Sequence, residues 1–223
     1  MEVSHCLLVD LDGVVVFEAG PPLLPDLEIL ALQEDIIHTI ATLDAAVVIL
    51  THRSRAEADR ILRAARIAPE TLAGVMAAED LLISAARHRQ FGRMLRDGLR
   101  KSLILPEVER RFGVPRQRTA LIDDRIDNVR DMVARGLGLA LHVPLEVAPD
   151  GESIVTFDLS STLQIFLDWT KGAVKPKVIT IPSTRRVLMS LRRTGLNTQQ
   201  EGRHAFNAAR GLANVSRRII RRD

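Results

Sequence analysis

The 223-residue chain has no tyrosine, one tryptophan and six phenylalanines, so aromatic residues make up only 3% of it. Its core must be aliphatic, and a surface that stacks nucleic-acid bases on rows of aromatic rings is not expected. Cysteine is scarcer still. Cys6 is the only one, so no disulfide can close within the chain. It stands in the apolar run HCLLVD with nothing activating beside it, and reads as a small buried hydrophobe rather than a nucleophile. No stretch reaches the roughly 18 consecutive apolar residues of a membrane span. The start MEVSHC lacks the basic and apolar segments of a secretory signal. A cytoplasmic protein is the expectation from these absences.

What is present is an aliphatic interior and an uneven charge. Apolar residues make up 46% of the sequence, enough for a substantial core. The formal charge of +3 hides an asymmetry. Residues 171–223 carry 13 Lys/Arg against two acids, while residues 1–170 carry 18 against 26. Two parts are expected: an acidic body over 1–170 and a basic extension over 171–223.

Within the body, short apolar runs alternate with longer helical patterns, which predicts βα units and a parallel sheet. The strand candidates are 6–9, 46–50, 119–122 and 139–142, with a weaker one at 72–76. Ser54 with Glu57 has the spacing of a capping box before ADRILRAARI. Pro25-Asp26 precedes LEILALQEDIIHTIATL, which reads as a helix over 27–43. Asp127 is placed to cap NVRDMVARG, which should stop at Gly136. Residues 77–113 read as mostly helical, and SSTLQIFLDW as the last helix of the body. Residues 171–184 read as a linker or an added strand, and 197–222 as a basic helix.

Three predicted strand ends carry chemistry. LLVDLDG puts Asp10 at the end of the first strand and Asp12 just beyond, with Gly13 free to turn the chain. VVILTHRS puts Thr51 at the same level, and TALIDDRIDN adds Asp123 and Asp124. In an open parallel sheet, ligands bind beyond the carboxyl ends of the strands. Carboxylates gathered there repel: at about 4 Å and an effective dielectric of about 20, each pair costs on the order of 4 kcal/mol. A hard divalent cation with oxygen ligands removes that cost, and Mg2+ suits a site with few carboxylates.

The combination resembles the haloacid dehalogenase superfamily of phosphohydrolases. LVDLDGVVV resembles its first motif, LTHR the second, Lys101 the lone lysine of the third, and IDDRIDNV the acidic pair of the fourth. Each alone is a weak signal, since Asp12-Gly13 is also a common turn and Asp124 or Asp127 could end a loop. All four in order, on strand ends, are a much stronger one. The resemblance implies a three-layer Rossmann-like α/β sandwich with little or no cap. It implies Asp10 as nucleophile, Asp12 as general acid and base, Thr51 on the phosphoryl group, and Lys101 neutralising charge. Mg2+ would be held by Asp10, the main-chain carbonyl of Asp12 and Asp124, with Asp123 and Asp127 in support. His52 and Arg53 after Thr51, and Arg125 after the acidic pair, are either residues facing a phosphorylated substrate or solvated and helix-capping ones. The family usually has Thr where this chain has Val14, and Arg100 beside Lys101 leaves open which of the two fills the third role.

The expected activity is Mg2+-dependent phosphomonoester hydrolysis. The alternatives are a nucleic-acid end phosphatase, a phosphotransferase, or a non-catalytic scaffold whose basic extension binds nucleic acid or a protein. That extension could equally dock on an acidic body, in its own chain or across a homodimer, or on a membrane surface.

Overall fold

The chain was analysed as a computed structural model that describes residues 3–18, 29–32, 43–64, 67, 69–147, 153–173 and 177–188. In chain order the elements are β1 Cys6–Val9, β2 Val16–Glu18, β3 Ile29–Leu32, β4 Ala46–Leu50, α1 Arg55–Ala64 and β5 Gly74–Met76. There follow α2 Ala78–Arg87, α3 Phe91–Asp97, a 3-10 turn Lys101–Ile104, α4 Leu105–Phe112, β6 Thr119–Asp123, α5 Ile126–Ala134 and β7 Leu139–His142. The last are β8 Glu146–Val147, β9 Ser153–Phe157, α6 Leu159–Thr170, β10 Val178–Thr180 and β11 Ser183–Leu188.

Six strands form one parallel sheet in the order β10-β7-β6-β1-β4-β5. The strands are short, aliphatic and buried throughout in β1, β4 and β6, as a sheet covered on both faces requires. Cys6, Leu8, Val48, Leu50, Leu121 and Ala140 join one core cluster with Leu81 of α2, Val108 of α4 and Met132 of α5. Leu7, Val9, Val47, Ile49, Ile122 and Leu141 alternate with them and are equally buried, so they form the opposite face. Helix α6, with Leu163 and Phe166 buried, packs against β7. The α/β fold expected from the sequence is therefore the one the chain adopts. From β1 the chain runs outward through β4 and β5, then returns to β6 on the other side. The order reverses at β1, the position in such sheets where a crevice opens.

Local signals hold where side chains enforce them. The Ser54–Glu57 box forms: Ser54 N donates to Glu57 Oε2 at 3.1 Å and Glu57 N to Ser54 Oγ at 3.3 Å. Helix α5 ends before Gly136, whose φ of +93° suits glycine. Asp158 caps α6 by accepting from Ser161 N at 2.8 Å.

Three expectations are corrected. Ile29–Leu32 is a strand rather than part of a helix, because it pairs antiparallel with Val16–Glu18. A run of four apolar residues fits either period, and a partner strand decides. The remainder of 27–43 that precedes and follows β3 lies mostly outside the described residues. Asp127 does not cap α5: the cap position is Arg125, and Asp127 is an exposed acid in the first turn, where it faces the positive end of the helix dipole. The weak strand at 72–76 begins only at Gly74.

The segment after residue 170 continues the body's sheets. β10 joins β7, and β11 pairs with β9 to make a three-stranded sheet with β8. The predicted helix over 197–222 lies outside the described residues. Among the described residues no helix is long and apolar enough to cross a membrane.

Helices α2 and α4 are joined through a buried carboxylate. Glu107 accepts from Arg87 Nη1 at 2.7 and 2.8 Å, from Arg110 at 2.6 and 3.0 Å, and from Arg111 Nε at 2.7 Å. Arg111 also reaches Asp80 Oδ1 at 2.9 Å. Arg110 first, then Arg87 and Arg111, hold the Glu107 carboxyl well below the usual carboxylate range. A group depressed in the folded state adds stability above its ordinary value of 4.5 and loses it as pH falls below. Glu107→Gln should lower stability by about 2 kcal/mol at neutral pH, less than full burial of all partners would give because the guanidiniums reach water. Urea titrations from pH 7 down to 3 should show a shallower acid loss in the variant than in the parent.

Candidate active site

The site is built from the residues that follow three adjacent strands. Asp10 leaves β1 with its N–H still bonded to Ile122 O of β6 at 2.9 Å. Thr51 leaves β4 with its N–H on Met76 O of β5 at 3.0 Å. Asp123 ends β6 and its carbonyl accepts Val143 N at 3.1 Å. The sheet's own hydrogen bonds thus fix three polar side chains at one level.

Carboxylate oxygens of Asp10, Asp123 and Asp124 all lie within 4.8 Å of one another. Lys101 enters this cluster from the 3-10 turn. It is 2% exposed, and its Nζ lies 2.7 Å from Asp10 Oδ2 and 2.7 Å from Asp123 Oδ2. Arg100 points elsewhere, donating from Nε to Asp97 O at 3.0 Å, so Lys101 is the cation of the site. Burial alone would lower the Lys101 pKa, but Asp10 and Asp123 outweigh it and hold the ammonium charged. Burial raises Asp10 to about 8, Lys101 opposing and Asp123 and Asp124 adding to the rise. Burial and then Asp123 raise Asp124 to about 6.

The three acids differ in their company. Asp123 is fully buried and saturated. Besides Lys101 it accepts from Asn128 Nδ2 at 3.0 and 3.1 Å and from Arg125 N at 2.9 Å. Asp10 Oδ1 accepts from Leu11 N at 2.8 Å. Three acids beside one ammonium form an all-oxygen donor set, and the burial and mutual repulsion that raise Asp10 and Asp124 are relieved by a hard divalent ion such as Mg2+. Asp10 and Asp124 have the oxygens to offer, and Asp123 anchors Lys101.

Asp12 and Thr51 form the other wall. Arg53 Nε donates to both Asp12 oxygens at 2.8 and 3.0 Å, and Thr51 Oγ1 lies 3.5 Å from Asp12 Oδ2. Thr51 Oγ1 also accepts from Arg53 N at 3.1 Å. The Asp12 carboxylate therefore stays out of the three-acid cluster, against the cleft wall formed by the loop after β4. His52 is exposed and bonds the Leu99 backbone, and Arg125 is exposed as well. Asp127 is not in the cluster; it lines a separate polar surface cavity of about 510 Å³ with Arg96, Asp97, Arg100 and Asp131. Asn128 and His142 adjoin the cluster without being among the expected residues. Asn128 lies in the first turn of α5 and His142 ends β7.

Gly13 makes this packing possible. Its φ is +77°, and a Cβ there would lie 2.5 Å from Asp124 Oδ2. The glycine is required by conformation and by space at once.

No family model and no curated protein matches the chain. Among solved structures it is similar to a putative HAD-like phosphatase from Mesorhizobium loti, with 20% identity over 78% of this chain and 88% of that one and a TM-score of 0.48. It is also similar to a putative HAD family hydrolase from Streptomyces avermitilis, with 16% identity over 63% and 72% of the chains and a TM-score of 0.41. A third is 3-deoxy-D-manno-octulosonate 8-phosphate phosphatase from Moraxella catarrhalis, solved with magnesium, phosphate and KDO, at 14% identity over 63% and 68% and a TM-score of 0.39. All three scores lie below 0.5.

Two outcomes are expected. Gly13→Ala should push Asp124 aside, weaken Mg2+ binding by more than about tenfold in calorimetric titration, and destabilise by about 1–3 kcal/mol. Melting temperatures in EDTA should fall as pH rises from 6 to 8.5. An acid raised from 3.8 to about 8 holds its proton in the fold and loses it in the unfolded chain, so stability declines across that interval. Millimolar Mg2+ should flatten the decline, and a pH-independent melting temperature in EDTA would contradict the charge balance described.

Proposed function

We propose that the chain is a Mg2+-dependent phosphomonoester hydrolase of the haloacid dehalogenase type, with Asp10 as the group that accepts the phosphoryl. One observation carries this reading. A buried lysine is clamped between Asp10 and Asp123, beside Asp124, at the mouth of a parallel sheet. A purely structural ion pair needs one carboxylate; here three acids gather about one ammonium.

An Asp10 oxygen bonds to phosphorus as the ester P–O bond breaks, and the electron pair leaves with the ester oxygen. Asp12 gives that oxygen its proton, then takes one from water as the water oxygen attacks phosphorus and displaces Asp10. Asp12 is 39% exposed on its side chain, open to a leaving group and to water. Arg53 grips it, and a phosphate dianion is a competing partner for that guanidinium, so arrival of substrate frees Asp12. Thr51 Oγ1–H serves a phosphoryl oxygen, and Lys101 offsets charge as it builds. Asp10, Asp124 and the Asp12 carbonyl would hold Mg2+, which would add charge neutralisation at the phosphoryl group. His52 and Arg125, exposed at the rim, are placed to meet the rest of a phosphorylated substrate.

Asp10→Asn should reduce turnover of p-nitrophenyl phosphate by about 1,000-fold or more with unchanged circular dichroism. Undiminished hydrolysis by that variant would remove Asp10 from the role. A panel of phosphorylated sugars, nucleotides and end-phosphorylated oligonucleotides, assayed for phosphate release, identifies the substrate class.

A further inference from the structure

The carboxyl edge of the sheet carries one more run of polar groups. Register places Thr180 of β10 beside His142 of β7, and His142 beside Asp123 of β6. His142 is half-buried. Its Nε2 lies 3.2 Å from the main-chain oxygen of Asp124, and its Nδ1 lies 3.5 Å from Thr180 Oγ1. A carbonyl only accepts, so Nε2 carries a proton and donates it. In the neutral ring Nδ1 is then the acceptor, and the Thr180 hydroxyl donates. Main-chain bonds fix the ring's base from both sides: Ile181 N donates to His142 O at 2.8 Å, and Val143 N to Asp123 O at 3.1 Å.

Asp124 needs such support more than its neighbour does. Asp123 is aimed by Lys101, Asn128 and Arg125 N acting on its carboxylate. No hydrogen bond from another side chain to the Asp124 carboxylate is seen among the described residues, so its direction is set through its backbone. The hydrogen bond from His142 acts on that backbone.

We infer that His142, buttressed by Thr180, is a positioning residue for Asp124. Strand β10, although it lies in the segment set apart by charge, is thereby part of the metal-holding apparatus. The inference rests on Asp124 being a cation ligand. Groups that orient a ligand in this way typically change metal affinity by about 10–100-fold when removed.

The experiment is calorimetric titration of Mg2+ into the full-length protein, with no substrate present. His142→Phe should weaken binding about tenfold, and Thr180→Val by a smaller but measurable factor. His142→Gln places an amide N–H close to the lost Nε2–H and should restore affinity to near that of the parent. Asp124→Asn is the control that separates the two claims. If Asp124→Asn binds Mg2+ like the parent, the metal reading itself fails. If Asp124→Asn loses binding while His142→Phe keeps it, the positioning role is overturned and the metal reading stands. Equal weakening by His142→Gln and His142→Phe would also overturn it, since the donor would then be irrelevant. Should His142→Phe fail to fold, Thr180→Val and His142→Gln decide between the same outcomes.

Discussion

A single ammonium group shared by two buried carboxylates is the constraint on which the site depends. Lys101 is almost wholly withdrawn from water, and so are Asp10 and Asp123. Withdrawing an ammonium and two acids is tolerable only when each finds partners close by, and removal of one would strand the others. The surrounding donors follow from this requirement. Leu11 N serves Asp10, while Asn128 and Arg125 N serve Asp123. These groups hold Asp10 and Asp123 in fixed directions around Lys101, with an oxygen of Asp124 within 4.8 Å of theirs.

The position of Lys101 is in turn secured from outside the site. The turn that carries it is tied to α2, where Ser84 Oγ donates to Leu103 O at 2.6 Å. Helix α2 is locked to α4 through Glu107 and Arg87. A network of arginines on one flank of the body thus has a mechanical role at the cleft. It holds the segment between β5 and β6 against the sheet, and with it the only lysine in the acidic cluster.

The sheet and its chemistry were legible because they follow simple rules. Strands covered on both faces must be short aliphatic runs, and the polar residues that end them must share one edge. That logic located β1, β4, β6 and β7 and brought Asp10, Thr51, Asp123 and Asp124 to the same level. It could not place Lys101 over Arg100, since adjacent cations differ only in where a turn aims them. It misread Ile29–Leu32, where the deciding partner is another strand, and Asp127, where the helix begins two residues earlier than its cap signal suggests. Asn128 and His142 escaped because their role lies in holding the acids and not in acting on a ligand. A lone amide or imidazole has no spacing rule that announces such work.

Strand β1 stands at the middle of the sheet, yet its two neighbours come from far apart in the chain. β4 follows within the first quarter of the sequence, whereas β6 comes from beyond its midpoint. A ribosome therefore releases β1 and β4 well before β6 exists, and the row of main-chain groups along Leu7, Leu8 and Val9 waits with one side unsatisfied. Closure of that side is also the event that brings Asp123 to Asp10. The cluster of acids around Lys101 thus assembles together with the sealing of the sheet's most adhesive edge, and a nascent chain that stalls before β6 has neither.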